Sequence, residues 1–473
     1  MENKYEYLFP FEKIPQGTKI LIYGAGDVGQ EYLQQMMMTG YCEVVGFIDR
    51  NWDKYAKMIV PIYPVVQIPE VSYDYIVIAM KTFVYIKNVM QGLYDLHVKA
   101  EQIILPIKRI ENDLIFMGTE SKVDNGEIYS FNRTRYSIAL KYGPGLGDCI
   151  QRRIFLNALI RLMPDCQVDI YAPNGDNIRS LYADVSNVKN VFDDAGALYF
   201  SKCKRYMLAV EVFFLLKIDE CNVNDVDGID DDLKHTLQIL KRNCDEYDLA
   251  AFPVTRSRIH LERTIYMGGD CYSVYNYTGI MRPEDRKVQI PLSEKYRESF
   301  GKLDLGSYIT IHTGSGLAVR GKENVDARQW PQGYYQEFVD LFKKKYPDIA
   351  IVQIGDKNTK KLQNVDCYIF DESLEVIKYV LKNAIFHLST EGGLMHLATQ
   401  LGTKCVTIFG PTQVELFGYK QNVNLVSQKC SSCYCLYDAS FCCARGMEKP
   451  ECMYDIRVDF VMERIGEFMK NYL

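Results

Sequence analysis

Residues 384–412 constrain the fold more than any other part of this 473-residue chain. Ala384-Ile-Phe-His-Leu-Ser389 is a short apolar run closed by small polar residues, the pattern of a buried parallel strand. Glu391-Gly392-Gly393 then turns the backbone into a helix, Lys404-Cys-Val-Thr-Ile408 is the next strand, and Phe409-Gly-Pro-Thr412 is a second turn. A helix that starts at a glycine turn points its first amides outward, and that is an anion site. In open α/β sheets ligands bind at such strand tips. The stretch therefore predicts a phosphate-bearing ligand at the carboxyl edge of a sheet.

The same pattern restarts three times. In the first unit, residues 1–107, strand Lys19-Ile-Leu-Ile-Tyr23 leads into Gly24-Ala-Gly26-Asp-Val-Gly29 and a helix. Strands at 43–49, 73–79 and 102–105 follow, and Asp49 stands 20 residues after Gly29. This is a Rossmann-type fingerprint in strand–helix context. Residues 108–134 are polar and read as a linker or peripheral hairpin. The second unit, 135–305, restarts with Tyr136-Ser-Ile-Ala-Leu-Lys141, the turn Gly143-Pro-Gly-Leu-Gly147-Asp148 and a helix to about 162. Strands are expected at 167–171 and at Glu246–Phe252, with a helix around 233–241. The acids from Asp225 to Asp232 read as helix-start charges, since they lack the ligand order of a calcium loop. The third unit, 306–473, restarts with Tyr308-Ile-Thr-Ile-His312. It predicts helices at 332–345, 373–382, 393–401 and 457–470, and strands at 349–354, 384–389 and 404–408. The class is α/β, with the last two units as facing Rossmann-like lobes.

A formal charge of -6 argues against a general nucleic-acid binder. There is no apolar run long enough to span a bilayer and no basic-then-apolar leader, so the expected location is the cytoplasm, with peripheral membrane association left open. Of the 15 cysteines, nine are scattered and read as small buried apolar residues, while six crowd into 430–452.

Four motifs in order carry a family resemblance. Lys141-Tyr-Gly-Pro-Gly-Leu-Gly-Asp148, Arg328-Gln-Trp-Pro331, Glu391-Gly-Gly-Leu-Met-His396 and Phe409-Gly-Pro-Thr412 together resemble glycosyltransferase family 9, the ADP-heptose heptosyltransferases. The resemblance covers about residues 135–473. It implies a GT-B fold with an acceptor lobe at 135–305 and a donor lobe at 306–473. It also implies metal-independent, inverting transfer of a sugar, a heptose, from an ADP-linked donor to a glycan or lipopolysaccharide-type acceptor, lipid-linked or protein-borne, in bacterial polysaccharide biosynthesis.

Such a transfer needs a base on the acceptor hydroxyl and charge stabilisation for the departing diphosphate. Asp148 resembles the family's base; its plain alternative is a helix cap. Arg328 matches the family's phosphate-contacting cation, or is a surface arginine. Thr313, Gly314 and Ser315 follow a strand and would line the phosphates, or serve only the turn. Glu391, Gly392, Gly393 and Thr412 form the donor turns, and His396 is a ligand contact or a core histidine. Asp356 would hold a ribose hydroxyl, or caps its own turn. The family more often has Asp in place of Glu391, and Asp-Pro in place of Gln413-Val414.

Cys430, Cys433, Cys442 or Cys443, and Cys452 have the spacing of a structural zinc or iron site, against reduced free thiols; similar C-terminal cysteines recur in the family. No cofactor is expected for catalysis. Gly24, Gly26, Gly29 and Asp49 would bind a nucleotide in the accessory first unit, or the unit is structural. Two other function classes stay open: an NAD(P)- or nucleotide-sugar-binding oxidoreductase or sensor built on that unit, and a GT-B binding protein without catalysis.

Overall fold

The computed structural model describes residues 3–5, 7–55, 58–81, 83–105, 116–118, 136–194, 196–249, 256–282, 286–314, 327–434 and 443–470. Strand β1 (Asn3–Tyr5) opens the chain. A parallel sheet follows, built from β2 (Lys19–Tyr23), β3 (Glu43–Ile48), β4 (Ile62–Tyr63), β5 (Tyr75–Ile78) and β6 (Ile103–Ile104), ordered β4-β3-β2-β5-β6. Its helices are α1 (Asp27–Thr39) and α2 (Phe83–Asp95), and β7 (Phe116–Gly118) pairs antiparallel with β1. Helix α1 buries Val28, Tyr32, Leu33 and Met36 on one stripe. It stops at Gly40, which takes a left-handed φ of 57° and donates its N–H to Met36 O.

The second sheet holds β8 (Ser137–Lys141), β9 (Gln167–Ala172), β10 (Val188–Asp193), β11 (Leu208–Val212) and β12 (Leu216–Cys221), ordered β10-β9-β8-β11-β12. Only β12 runs antiparallel, as the second arm of a hairpin with β11. The helices are α3 (Leu146–Leu162), α4 (Gly175–Leu181), α5 (Ala197–Lys202), α6 (Asp231–Leu249) and α7 (Arg256–Tyr266). The strand expected at Glu246–Phe252 is a correction: Glu246 to Leu249 are the last turn of α6, and 250–252 lie outside the described residues. Helical spacing decides it. Leu237, Leu240 and Cys244 bury one face, and Lys241–Asp245 (2.6 Å) and Arg242–Glu246 (3.9 Å) pair one turn apart on the other. The acidic stretch does start this helix, with Asp230 Oδ1 accepting from Leu233 N at 3.0 Å.

The third sheet follows α8 (Arg297–Gly301). It comprises β13 (Tyr308–His312), β14 (Ala350–Gly355), β15 (Cys367–Phe370), β16 (His387–Thr390), β17 (Cys405–Phe409) and β18 (Val423–Val426), all parallel, ordered β15-β14-β13-β16-β17-β18. Helices α9 (Gln332–Lys345), α10 (Leu374–Lys382), α11 (Gly393–Gln400), α12 (Val414–Phe417), α13 (Glu451–Tyr454) and α14 (Val458–Met469) complete it. Trp330, fully buried, donates Nε1 to Ile456 O at 2.9 Å and ties the start of α9 to the C-terminal segment.

Each of the three sheets thus reverses its strand order beside its first strand, between β2 and β5, β8 and β11, and β13 and β16. The first unit rests on the second through Ala197 and Phe200 of α5, which join the core around Tyr32 and Met36. The second and third sheets are stapled at their back by Lys378. Its ammonium, almost wholly buried, donates to Pro291 O (2.6 Å), Ser180 O (3.2 Å) and Glu375 Oε1 (2.8 Å).

Two histidines sit on one face of the third sheet: Thr310 pairs with His387 across β13 and β16, and His312 with Ser389. Burial, and then the neighbouring His312, push His387 down to about 3; burial pushes His312 down to about 4 against a partial pull from Asp356. Both are neutral when folded. Their stabilising contribution is complete above the unfolded histidine value of about 6.5 and is lost as pH falls toward those folded values. Denaturant unfolding should therefore show stability falling between pH 7 and pH 5, with a shallower fall in His387→Gln. An equal slope in the variant would contradict this.

Candidate active site

At the two order-reversal points of the second and third sheets, glycine turns lead from strand to helix. Helix α3 begins after Gly145 and α11 after Gly392. The two helix starts press together. A Cβ on Gly147 would lie 2.8 Å from His396 Cδ2, and one on Gly393 would lie 2.8 Å from Leu146 Cβ. Real side chains do not approach so closely, so both positions require glycine for the backbones to meet. The two helix N-termini bring outward-pointing amides to one place.

Asp148 lies in the first turn of α3, its side chain 41% exposed and facing the buried Arg152 one turn on, with Oδ2 3.6 Å from Nη2. Burial opposes the charge on Arg152, but Asp148, together with Cys149, Tyr275 and Tyr182, outweighs it and holds the guanidinium above its ordinary value. Arg152 also donates to Gly143 O at 3.1 Å and lies 5.4 Å from the ring of Phe213, just after β11, so the carboxylate's partner is fixed by both turns. Arg152 was not singled out in the sequence, although the Asp148–Arg152 spacing of four residues carries the signal.

On the other side of the junction four of the named residues meet. Burial pushes the Glu391 carboxyl up, but His396, Arg328 and Thr412 outweigh it and hold the group below its ordinary value. His396 Nε2 lies 3.4 Å from Glu391 Oε1. Glu391, Thr412 and His396 are all buried. Thr313, also buried, directly follows β13, and its carbonyl accepts from Gln329 Nε2 at 3.1 Å, next to Arg328. Gly314 follows it, and Ser315 lies outside the described residues. Asp356 is exposed after β14 and closes its own turn, Oδ1 accepting from Asn358 N (2.9 Å) and Thr359 Oγ1 (3.0 Å). Gln413 is buried, and its amide donates to Glu262 Oε1 of α7 at 3.2 Å and to Ser432 O at 3.3 Å.

The first unit's glycine loop is engaged with itself. Asp49 Oδ2 accepts from Ala25 N at 2.9 Å and Oδ1 from Asn51 N at 2.8 Å. Gly29 packs against Gly24 and Phe47, Gly26 faces open space, and Asp27 at the helix start pairs with Lys81 at 3.1 Å.

The cysteine-rich segment is bound to the Phe409–Thr412 turn: Ser432 N donates to Gly410 O (3.0 Å) and Tyr434 N to Pro411 O (2.8 Å). Burial, with Cys430, Cys433 and Cys443 nearby, pushes the Cys452 thiol up to about 12. Cys442 lies outside the described residues. Among the described residues no group of three or more His, Cys, Asp or Glu is placed to hold a metal ion, and no helix is long and apolar enough to cross a membrane.

Residues 317–438 match the model of glycosyltransferase family 9 (heptosyltransferase), and residues 16–104 match C2185-like, N-terminal. Among curated proteins none matches the chain. Similar solved structures include the ADP-heptose lps heptosyltransferase II of E. coli, 15% identical, with a TM-score of 0.45 over 71% of this chain and 99% of that one. The iron-containing dodecameric glycosyltransferase TibC of enterotoxigenic E. coli is 14% identical, TM-score 0.46, over 70% and 78%. A family 9 glycosyl transferase of Veillonella parvula is 12% identical, TM-score 0.43, over 72% and 100%.

The junction makes a direct stability prediction. Gly393→Ala adds a methyl where Leu146 already stands, and overpacking of this kind costs about 1–3 kcal/mol. Urea unfolding should show the loss, and an unchanged midpoint would mean that the two helix starts do not pack as described.

Proposed function

We propose that this glycosyltransferase, whose third unit carries the family 9 domain, transfers a sugar at the junction of α3 and α11 with inversion at the anomeric carbon. The donor is a nucleotide-diphosphate sugar, an ADP-heptose in the closest reading of the motifs, and the acceptor is a hydroxyl of a glycan or lipopolysaccharide-type chain. The observation that carries this is the abutment of the helix start holding Asp148 on the helix start holding Glu391 and His396.

In the proposed step Asp148 accepts the proton of the acceptor hydroxyl while that oxygen attacks the anomeric carbon. The bond from that carbon to the diphosphate breaks on the opposite face, and its electron pair leaves with the phosphate. Arg328 and the first amides of α11 stabilise the charge that develops there. Glu391 and Thr412 hold sugar hydroxyls, a role that an ionised carboxylate fills as acceptor. Arg152 positions Asp148. No step uses a metal. Asp148→Asn should lower transfer by about 10²–10⁴-fold and leave donor affinity unchanged in calorimetric titration. Full turnover in this variant would sink the assignment.

The first unit is proposed as a packing module rather than a dehydrogenase. Support comes from Asp49, whose two oxygens already hold Ala25 N and Asn51 N, and from Asp27 at the mouth of the loop. For the cysteine segment the reading is a structural zinc or iron held by Cys430, Cys433, Cys452 and Cys442 or Cys443. It rests on the spacing of these cysteines in the sequence, Cys430 and Cys433 three apart with Cys442, Cys443 and Cys452 following. Four thiolates would leave no open position for catalysis. Metal analysis of purified protein should find about one zinc or iron per chain; metal-free protein of full stability would overturn it.

A further inference from the structure

A chain of buried hydrogen bonds runs from the segment that joins the two sheets to Glu391, and every donor in it points the same way. It starts at Val288, whose backbone N–H donates to Gln400 Oε1 at 2.8 Å. A backbone N–H can only donate, so this contact fixes which end of the Gln400 amide is oxygen. The amide nitrogen therefore faces Tyr272, donating to its hydroxyl at 3.0 Å. The Tyr272 hydroxyl, accepting there, donates its own proton to the hydroxyl of Tyr419. That leaves the Tyr419 proton for His396 Nδ1, 2.8 Å away. With Nδ1 accepting, the neutral imidazole carries its proton on Nε2, the nitrogen 3.4 Å from Glu391 Oε1. Gln400, Tyr272, Tyr419, His396 and Glu391 are all buried.

The chain crosses between the two sheets. Tyr272 belongs to a segment tied to α3, because Gln151 of α3 bonds Cys271 O, whereas Tyr419, His396 and Gln400 belong to the third unit.

We infer that Tyr272 and Tyr419 are positioning residues: they lock His396 in its Nε2–H form, so that the ring donates to Glu391 and holds its carboxylate in place for a donor-sugar hydroxyl. This rests on the proposed role of Glu391 at the donor. Without the tyrosines His396 can take the opposite tautomer, which turns a lone pair toward a carboxylate and repels it. The consequence is a loss of donor binding rather than of the chemical step.

Two measurements test this on the full-length protein. The first is the ring-nitrogen spectrum of protein labelled with 15N-histidine, where the signal of His396, one of six histidines, is identified by its loss in His396→Gln. The wild type should show a protonated Nε2 and a lone pair on Nδ1, and Tyr419→Phe should show a mixture of tautomers. A protonated Nδ1 in the wild type, or no change in Tyr419→Phe, overturns the inference. The second is a double-variant cycle on the donor KM. Tyr419→Phe and Tyr272→Phe should each raise KM about tenfold with kcat unchanged, the scale of one hydrogen bond to a charged group. In a His396→Gln background the amide nitrogen can only donate to Glu391, so Tyr419→Phe should add nothing. An equal loss in both backgrounds would make the tyrosine merely structural. The spectrum needs no substrate, so the two readings fail separately: the Nε2–H form in a protein that transfers no sugar removes the transferase reading alone, and the Nδ1–H form in an active enzyme removes this inference alone.

Discussion

Two helix starts from two different sheets meet backbone to backbone at Gly147 and Gly393, and the site depends on that contact. Each helix leaves its sheet where the strand order reverses, so each delivers its first turn to an open edge. Any Cβ at either glycine would hold the edges apart. With the glycines in place, Asp148 stands in one first turn and His396 in the other, with Glu391 just ahead of it.

The charges gathered there are held in place by pairing. Arg152 is buried beside Asp148, and Glu391 is buried among His396, Arg328 and Thr412. An unpaired charge at such depth would be costly, so each of these side chains has a narrow choice of positions. On the far side Lys378 does the same for the relation between the sheets, joining α10 to Ser180 of α4 and to the crossing segment at Pro291. The cysteine-rich segment is fixed to the Gly410–Pro411 turn by backbone hydrogen bonds, so its state bears on the same wall of the site.

Much of this was legible in the sequence because the backbone demands it. Short apolar runs, glycine turns and helix periodicity gave the first strands of all three units and nearly every element from 332 to 409. The hairpin β11–β12 was not foreseen, because Glu211, Lys217 and Asp219 break its apolar pattern; they are reconciled only in three dimensions, where Lys141 pairs with Glu211 and Lys217 with Asp219. The end of α6 was misread because Tyr247 to Phe252 is apolar enough for a strand, while the ion pairs that hold the helix lie on its other side. Within the site, Asp148, Arg328, Glu391, His396 and Thr412 were each visible as members of turns. Tyr272 and Tyr419 were not: they are 147 residues apart, and nothing in either neighbourhood marks a hydroxyl aimed at the other. Gln413 was visible only as a departure, and its partner Glu262 emerges from a helix of the other unit.

The proposed function makes the junction of α3 and α11 a sugar-nucleotide site in which Arg328 and Glu391 hold the donor. Thermal unfolding in the presence of nucleotide-sugars tests it most directly, since a ligand that binds only the folded state raises the melting temperature with its occupancy. The account predicts a rise with ADP-linked sugars, a smaller one with UDP-linked sugars, and loss of the ADP-sugar shift in Arg328→Met and in Glu391→Gln. No shift with any sugar nucleotide, or a full shift in both variants, would contradict it.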